Sequence, residues 1–259
     1  MFLRVATVAA LLLAPSYAQA PQAPQAPAKT PTADTLPDAR EIINRHIQAV
    51  GGREAILAHK SMHALGTLSV PASGIGGPVE IFGATGPDRV VVKTTVTGIG
   101  DIAEGFDGSH GWSMSPMTGP MLKVGKELTQ SRLDADFYSD LRDPKNYPVA
   151  KTLEKTDFEG RPCYKVSIKR VDGTEDFDFY DVATGLRAGS INTRESPMGT
   201  MTITSTEGTY KKFGNWTQAT VHTQKISGIE QTITLTSIEY DKVDPSAFEP
   251  PAAIKALIK

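Results

Sequence analysis

The feature that most constrains this chain is a change of period. Past Lys60 the apolar residues stop recurring every three or four positions and begin to alternate. RVVVKTTV (89–96), PCYKVSIKRV (162–171), EDFDFYD (175–181), GTMTITST (199–206), TQATVHTQ (217–224) and QTITLTSIEY (231–240) are all rich in Val, Ile, Thr and aromatics. Turn pairs separate them: Asp107-Gly108, Glu159-Gly160, Asp172-Gly173, Thr184-Gly185 and Gly214-Asn215. Short alternating runs punctuated in this way predict consecutive antiparallel hairpins. The alternation also assigns faces. Met201 and Ile203 oppose Thr200, Thr202 and Thr204, and Ile233 and Leu235 oppose Thr232, Thr234 and Thr236. One face of the sheet is therefore apolar and the other tolerates water. Such a sheet must cover its apolar side.

Two stretches have helical period. In PDAREIINRHIQAVGG, Asp38 is placed as an N-cap with Glu41 as a box-like partner. Ile43, Ile47 and Val50 fall on one face, and Gly51-Gly52 ends the helix. A second short helix is expected from Arg53 to His59. The other stretch, residues 125–142, interrupts the strands and sets Leu128, Leu133, Phe137 and Leu141 near one side. Asp136, Asp140 and Asp143 lie on another side, read as solvated. A helix inserted there is placed to lie across the mouth of the sheet.

Residues 1–20 have one early cation, Arg4, an apolar run and small residues at the end, the layout of a secretory signal peptide cut after Ala18 or Ala20. The run is too short to span a bilayer, and no Cys lies near the cut, so the expected product is exported, periplasmic and soluble. Residues 21–37 are rich in Pro and read as an extended linker, because Pro lacks an amide donor and fixes φ. The folded domain is expected over 38–259. Removing Arg4 with the leader leaves 26 basic against 29 acidic residues, a charge near −3. That balance gives no general attraction to nucleic acid or to an anionic membrane. The sole cysteine, Cys163, lies in an alternating strand and reads as a buried thiol.

Catalytic and cofactor patterns do not hold together. Gly98-x-Gly100-x-x-Ala103 follows a strand and fits a dinucleotide fingerprint, but the Asp107-Gly108 turn leaves no room for the helix that would hold a pyrophosphate. Nothing acidic lies between Asp107 and Glu127 to hold a ribose. The histidines, at 46, 59, 63, 110 and 222, are dispersed and read as surface residues, so no metal site is expected. Asp107, Ser109 and His110 share one turn, where side chains fan outward rather than form a relay. The expectation is a protein without catalysis, metal or cofactor.

Three places carry a family resemblance. The N-terminal helix leads into LGTLSV, FDGSHGW is followed by SPMTGP, and the chain closes with DKVDPSAFEPPAAIKAL. Together they resemble the LolA-like family of periplasmic lipoprotein carriers, over residues 38–259. That resemblance implies an incomplete, half-open β-barrel: a curved antiparallel sheet with helices as a lid over an apolar cavity. It also implies a lipid or the acyl chains of a lipoprotein as ligand, in outer-membrane trafficking, with an envelope membrane protein as a further partner. The family's strand arginine has no matching position in this sequence, although Arg89 opens the strand RVVVK. Candidate lining residues are Leu68, Val70, Ile81, Val92, Val96, Trp112, Leu128 and Phe137. Trp112 admits two roles, packing or cavity wall. The alternative function is a non-catalytic envelope interaction protein whose core is filled by its own side chains.

Overall fold

The computed structural model describes residues 36–196 and 199–258. The leader and nearly all of the Pro-rich linker lie outside the described residues. Among those described, α1 (Ala39–Ala49) and α2 (Arg53–Leu57) precede the strands β1 (Ser61–Val70), β2 (Ile75–Ala84), β3 (Arg89–Val96), β4 (Gly100–Phe106), β5 (Gly111–Ser115) and β6 (Gly119–Lys123). Helix α3 (Gly125–Asp134) follows. Then come β7 (Val149–Phe158), β8 (Arg161–Lys169), β9 (Glu175–Asp181), β10 (Arg187–Ser196), β11 (Gly199–Phe213), β12 (Trp216–Ile226) and β13 (Ile229–Tyr240), with α4 (Ala252–Lys255) last. No helix among the described residues is long and apolar enough to cross a membrane.

The strands form one antiparallel sheet in the order β6-β5-β4-β3-β2-β1-β13-β12-β11-β10-β9-β8-β7. Every neighbour is the next in sequence except β1 beside β13, so the sheet is two meanders joined at one seam. Its two ends, β6 and β7, do not pair with each other, and the barrel stays open. Curvature follows from α3, which packs against β4, β5 and β6 and also against β10. In the strand order β6 is first and β10 tenth. A flat sheet would separate them by about 43 Å, whereas a ten-residue helix spans about 15 Å. The sheet must curl. Bulges at Leu65/Gly66 in β1 and at Arg187/Gly189 in β10 bend it further. At the first bulge only Gly fits: a Cβ on Gly66 would lie 2.5 Å from the Thr234 carbonyl oxygen.

Helix α1 forms as its sequence dictates. Asp38 caps it by accepting from the Arg40 amide at 2.8 Å, and Ile43, Ile47 and Val50 are buried against the inner face of the sheet. The Arg40 guanidinium donates to the Arg142 and Tyr147 carbonyls, tying α1 to the segment after α3. Helix α2 stops at Leu57, before His59, which is held by other partners.

The inserted helix is shorter than its spacing suggests. It ends at Asp134, the chain turns, and a single 3-10 turn occupies Ser139–Leu141. Asp136 drives the break: its carboxylate accepts from the Tyr138 amide and from the Asn146 side chain. Asp136 and Asp140 are buried, not solvated, and only Asp143 is partly exposed. The Gly98–Ala103 fingerprint forms the β3–β4 turn and then a strand, with no helix. Cys163 is fully buried, and burial pushes its thiol up to about 11.

Candidate ligand-binding interior

The register separates an inner from an outer face. Ile81 stands opposite Ala64 and Val92, and Leu68, Val70 and Val96 share that side by alternation. All five candidates are buried; Leu68, Ile81, Val92 and Val96 belong to one apolar cluster with Ile43 and Ile47 of α1, and with Ile233 and Leu235 of β13. The inner wall from β3 through β1 to β13 is thus aliphatic.

Two candidates lie elsewhere. Trp112 pairs with Gly105, which pairs with Val91, and these residues face outward. Trp112 is fully buried there under the C-terminal segment, against Phe248 and Ile254. It is a packing residue on the outer face and not part of the aliphatic inner wall. Arg89 also faces outward, its guanidinium 4.5 Å from the Phe248 ring centroid. Leu128 is half-buried on α3 and belongs to none of the buried clusters.

The other half of the inner face is polar. Asp176, Asp178 and Tyr180 of β9 point inward, while Phe177 and Phe179 point outward onto Phe158, Cys163 and Ala188. Asp178 and Arg142 are both 0 % exposed and paired at 2.6 Å. Burial opposes the charge on Arg142, but the Asp178 carboxylate outweighs it and holds the guanidinium protonated. Arg187 is bonded to Glu207, and Tyr210 donates to the same carboxylate at 2.9 Å. Further along, the Gln231 amide donates to Gln224 at 2.8 Å. Each charge lies beside an opposite one, as burial in low dielectric requires.

Two histidines expected at the surface belong to this interior. His46 of α1 is 2 % exposed and its Nδ1 has no hydrogen-bond partner. Burial lowers its pKa from 6.5 to about 4, against the pull of Asp140, so the ring is neutral at neutral pH. Burial lowers His222 in the same direction. His110 stays partly exposed in its turn, beside Asp107 at 3.2 Å.

One end of the interior is plugged. Phe137 packs edge-on to Trp216, and Trp216, Tyr240 and His59 form a stack, with His59 4.0 Å from the Tyr240 centroid. His59 bridges Asp241 at 2.8 Å and Asn215 at 2.9 Å, which closes the seam between the chain after α2 and the ends of β12 and β13. Phe137 therefore belongs to the plug rather than to the helix over the mouth.

That helix, α3, is held mainly by polar contacts. Asp134 pairs with Arg170 at 2.9 Å and Arg194 at 3.4 Å, and the Gln130 side chain accepts from the Glu195 amide at 3.2 Å. On its other flank Lys123 pairs with Glu104 at 2.8 Å, facing inward. Burial opposes the Lys123 charge, but Glu104 more than compensates and raises its pKa. Only Gln130 and Leu133 of α3 are buried.

The sheet is curled and unclosed, and α3 bridges its two halves. No family model matches the chain, and no curated protein matches it. Among solved structures, a DUF1329 family protein from Desulfovibrio piger superposes with a TM-score of 0.56 at 11% identity, over 84% of this chain and 100% of that one. A LolA superfamily protein from Nitrosomonas europaea superposes with a TM-score of 0.51 at 11% identity, over 83% and 99%. The chain has the LolA-like fold.

Proposed function

We propose that the protein is an exported, non-catalytic carrier that holds a lipid, or the acyl chains of a lipoprotein, beneath α3. The observation that carries this reading is the aliphatic inner wall of Leu68, Val70, Ile81, Val92 and Val96 in an unclosed sheet whose two halves are bridged by α3, a helix with little apolar burial of its own. A helix held by ion pairs and one amide bond detaches at lower cost than one seated on a hydrophobic stripe. The demand on such a site is large: an acyl chain of about fourteen methylenes costs roughly 11 kcal/mol to expose to water, at about 0.8 kcal/mol per methylene. The leader-like residues 1–20 support export to the periplasm, where a carrier would shuttle lipid or lipoprotein towards the outer membrane.

Uptake of a fluorescent fatty acid tests the reading. Leu128→Asp places a charge on the half-buried face of α3 and should weaken binding about tenfold, or ~1.4 kcal/mol, while the melting temperature stays close to wild type. Unchanged uptake by that variant contradicts a ligand under α3. Absence of uptake by the wild-type protein favours the second reading, an interaction protein with a filled interior, which the internally paired charges of β9–β12 would suit.

A further inference from the structure

In the β1–β6 half of the sheet the two ends differ in charge. At the plugged end the β1–β6 half carries Lys60, Asp88, Arg89, Asp107, His110 and Lys123. At the other end the same strands are joined by PASGIGG (71–77) and TGI (97–99), and the β5–β6 hairpin turns through SPMTGPML (115–122), without one charged residue. The tips are neighbours. The Thr97 amide donates to the Gly76 carbonyl at 2.9 Å, and a Cβ on Gly100 would stand 3.1 Å from Pro116. Pro71, Ala72, Pro116 and Met117 are exposed, Met117 by 54%. The first charge back from this rim, Asp101, accepts a hydrogen bond from Thr95 at 2.7 Å.

The rim is continuous with the interior. Ile75 and Ile99, half-buried beneath the tips, pack against the same cluster that holds Leu68, Ile81 and Val96. Apolar side chains thus extend from the inner wall through Ile75 and Ile99 to tips that carry exposed Met and Pro side chains. Exposed apolar residues gathered at one end mark a contact surface, and methionine adapts to a disordered apolar partner.

We propose that this rim docks on the interfacial zone of a lipid bilayer, aligning the aliphatic interior with the membrane. The inference rests on the carrier reading and names the surface with which the carrier exchanges its ligand. An uncharged rim needs no anionic headgroup, so zwitterionic lipid suffices. The partner chemistry is the hydrated edge of the acyl layer, where Pro, Met and Ile side chains lose water and no ionised group is dragged from it.

The test is flotation of the folded protein with phosphatidylcholine vesicles, with and without phosphatidylglycerol. Wild-type protein should float with both. Ala72→Glu and Met117→Glu, both at exposed positions, should each reduce partitioning about tenfold. Lys211→Glu, at an exposed position on β11 away from the rim, should not. Met117→Trp should show a blue-shifted emission on adding vesicles. Failure of the wild type to float, flotation that requires phosphatidylglycerol, or equal flotation of the glutamate variants would overturn docking by the rim. Fatty-acid uptake measured on the same variants separates the two ideas: uptake without flotation removes the docking surface and leaves the carrier, whereas loss of uptake in the wild type removes the carrier itself.

Discussion

At the residue scale, the buried charges decide how this protein responds to pH and to substitution. His46 has a folded pKa of about 4 against 6.5 when exposed. Between those values the unfolded chain binds the proton and the folded chain does not, so stability rises with pH across that window. The contribution is fully present above about pH 6.5 and is lost as pH falls toward 4, a total on the order of 3 kcal/mol. Denaturant unfolding at a series of pH values should show that slope, and His46→Gln should reduce it, His222 supplying a further part in the same direction. An unchanged slope in that variant would assign the dependence to other groups. A second comparison separates buried from exposed pairs. Asp178→Asn leaves Arg142 buried without its carboxylate and should cost about 3–5 kcal/mol. Lys225→Ala breaks an exposed pair with Glu159 and should leave the unfolding midpoint close to wild type. Equal effects would mean the interior is wetter than its burial indicates.

At the element scale, the segment 125–142 divides into a cover and a plug. Its spacing of Leu128, Leu133, Phe137 and Leu141 reads as one helix because periodicity does not register a carboxylate that captures the backbone. Asp136 does so by accepting from the Tyr138 amide, and the chain then carries Phe137 inward to Trp216. The carrier reading requires the cover to move, and it can be pinned. A Cβ on Gly111 would stand 3.2 Å from Ser131 Cβ, near the ~3.8 Å typical of disulfides. Gly111→Cys combined with Ser131→Cys should join β5 to α3 on oxidation, and Cys163 is too buried to compete. Fatty-acid exchange should slow in the oxidised form and recover on reduction. Exchange at the same rate in both forms would place the entrance away from α3.

At the scale of the whole molecule, the antiparallel meander was legible because turn pairs and alternation are local. Asp107-Gly108, Glu159-Gly160 and Gly214-Asn215 all join strands, and Thr232, Thr234 and Thr236 face outward as their alternation requires. The aliphatic wall followed from the same alternation at Ile81, Val92 and Val96. The polar half of the interior did not. In EDFDFYD alternation alone would bury Phe177 and Phe179 and wet the aspartates, yet the outer face there is covered by Phe158 and the inner face holds Arg142 and Arg187. Trp112 was open for a related reason, since nothing near it in sequence reveals that Phe248 and Ile254 return to cover it. Which face a strand buries depends on segments far away in the chain.

The claim on which the rest depends is that the interior holds a lipid. Native mass spectrometry of protein recovered from cells that export it, followed by solvent extraction, tests that claim directly. The carrier reading predicts a stoichiometric adduct that extraction identifies as a lipid or an acylated peptide. A bare polypeptide mass, unchanged after incubation with membrane lipid, would contradict it.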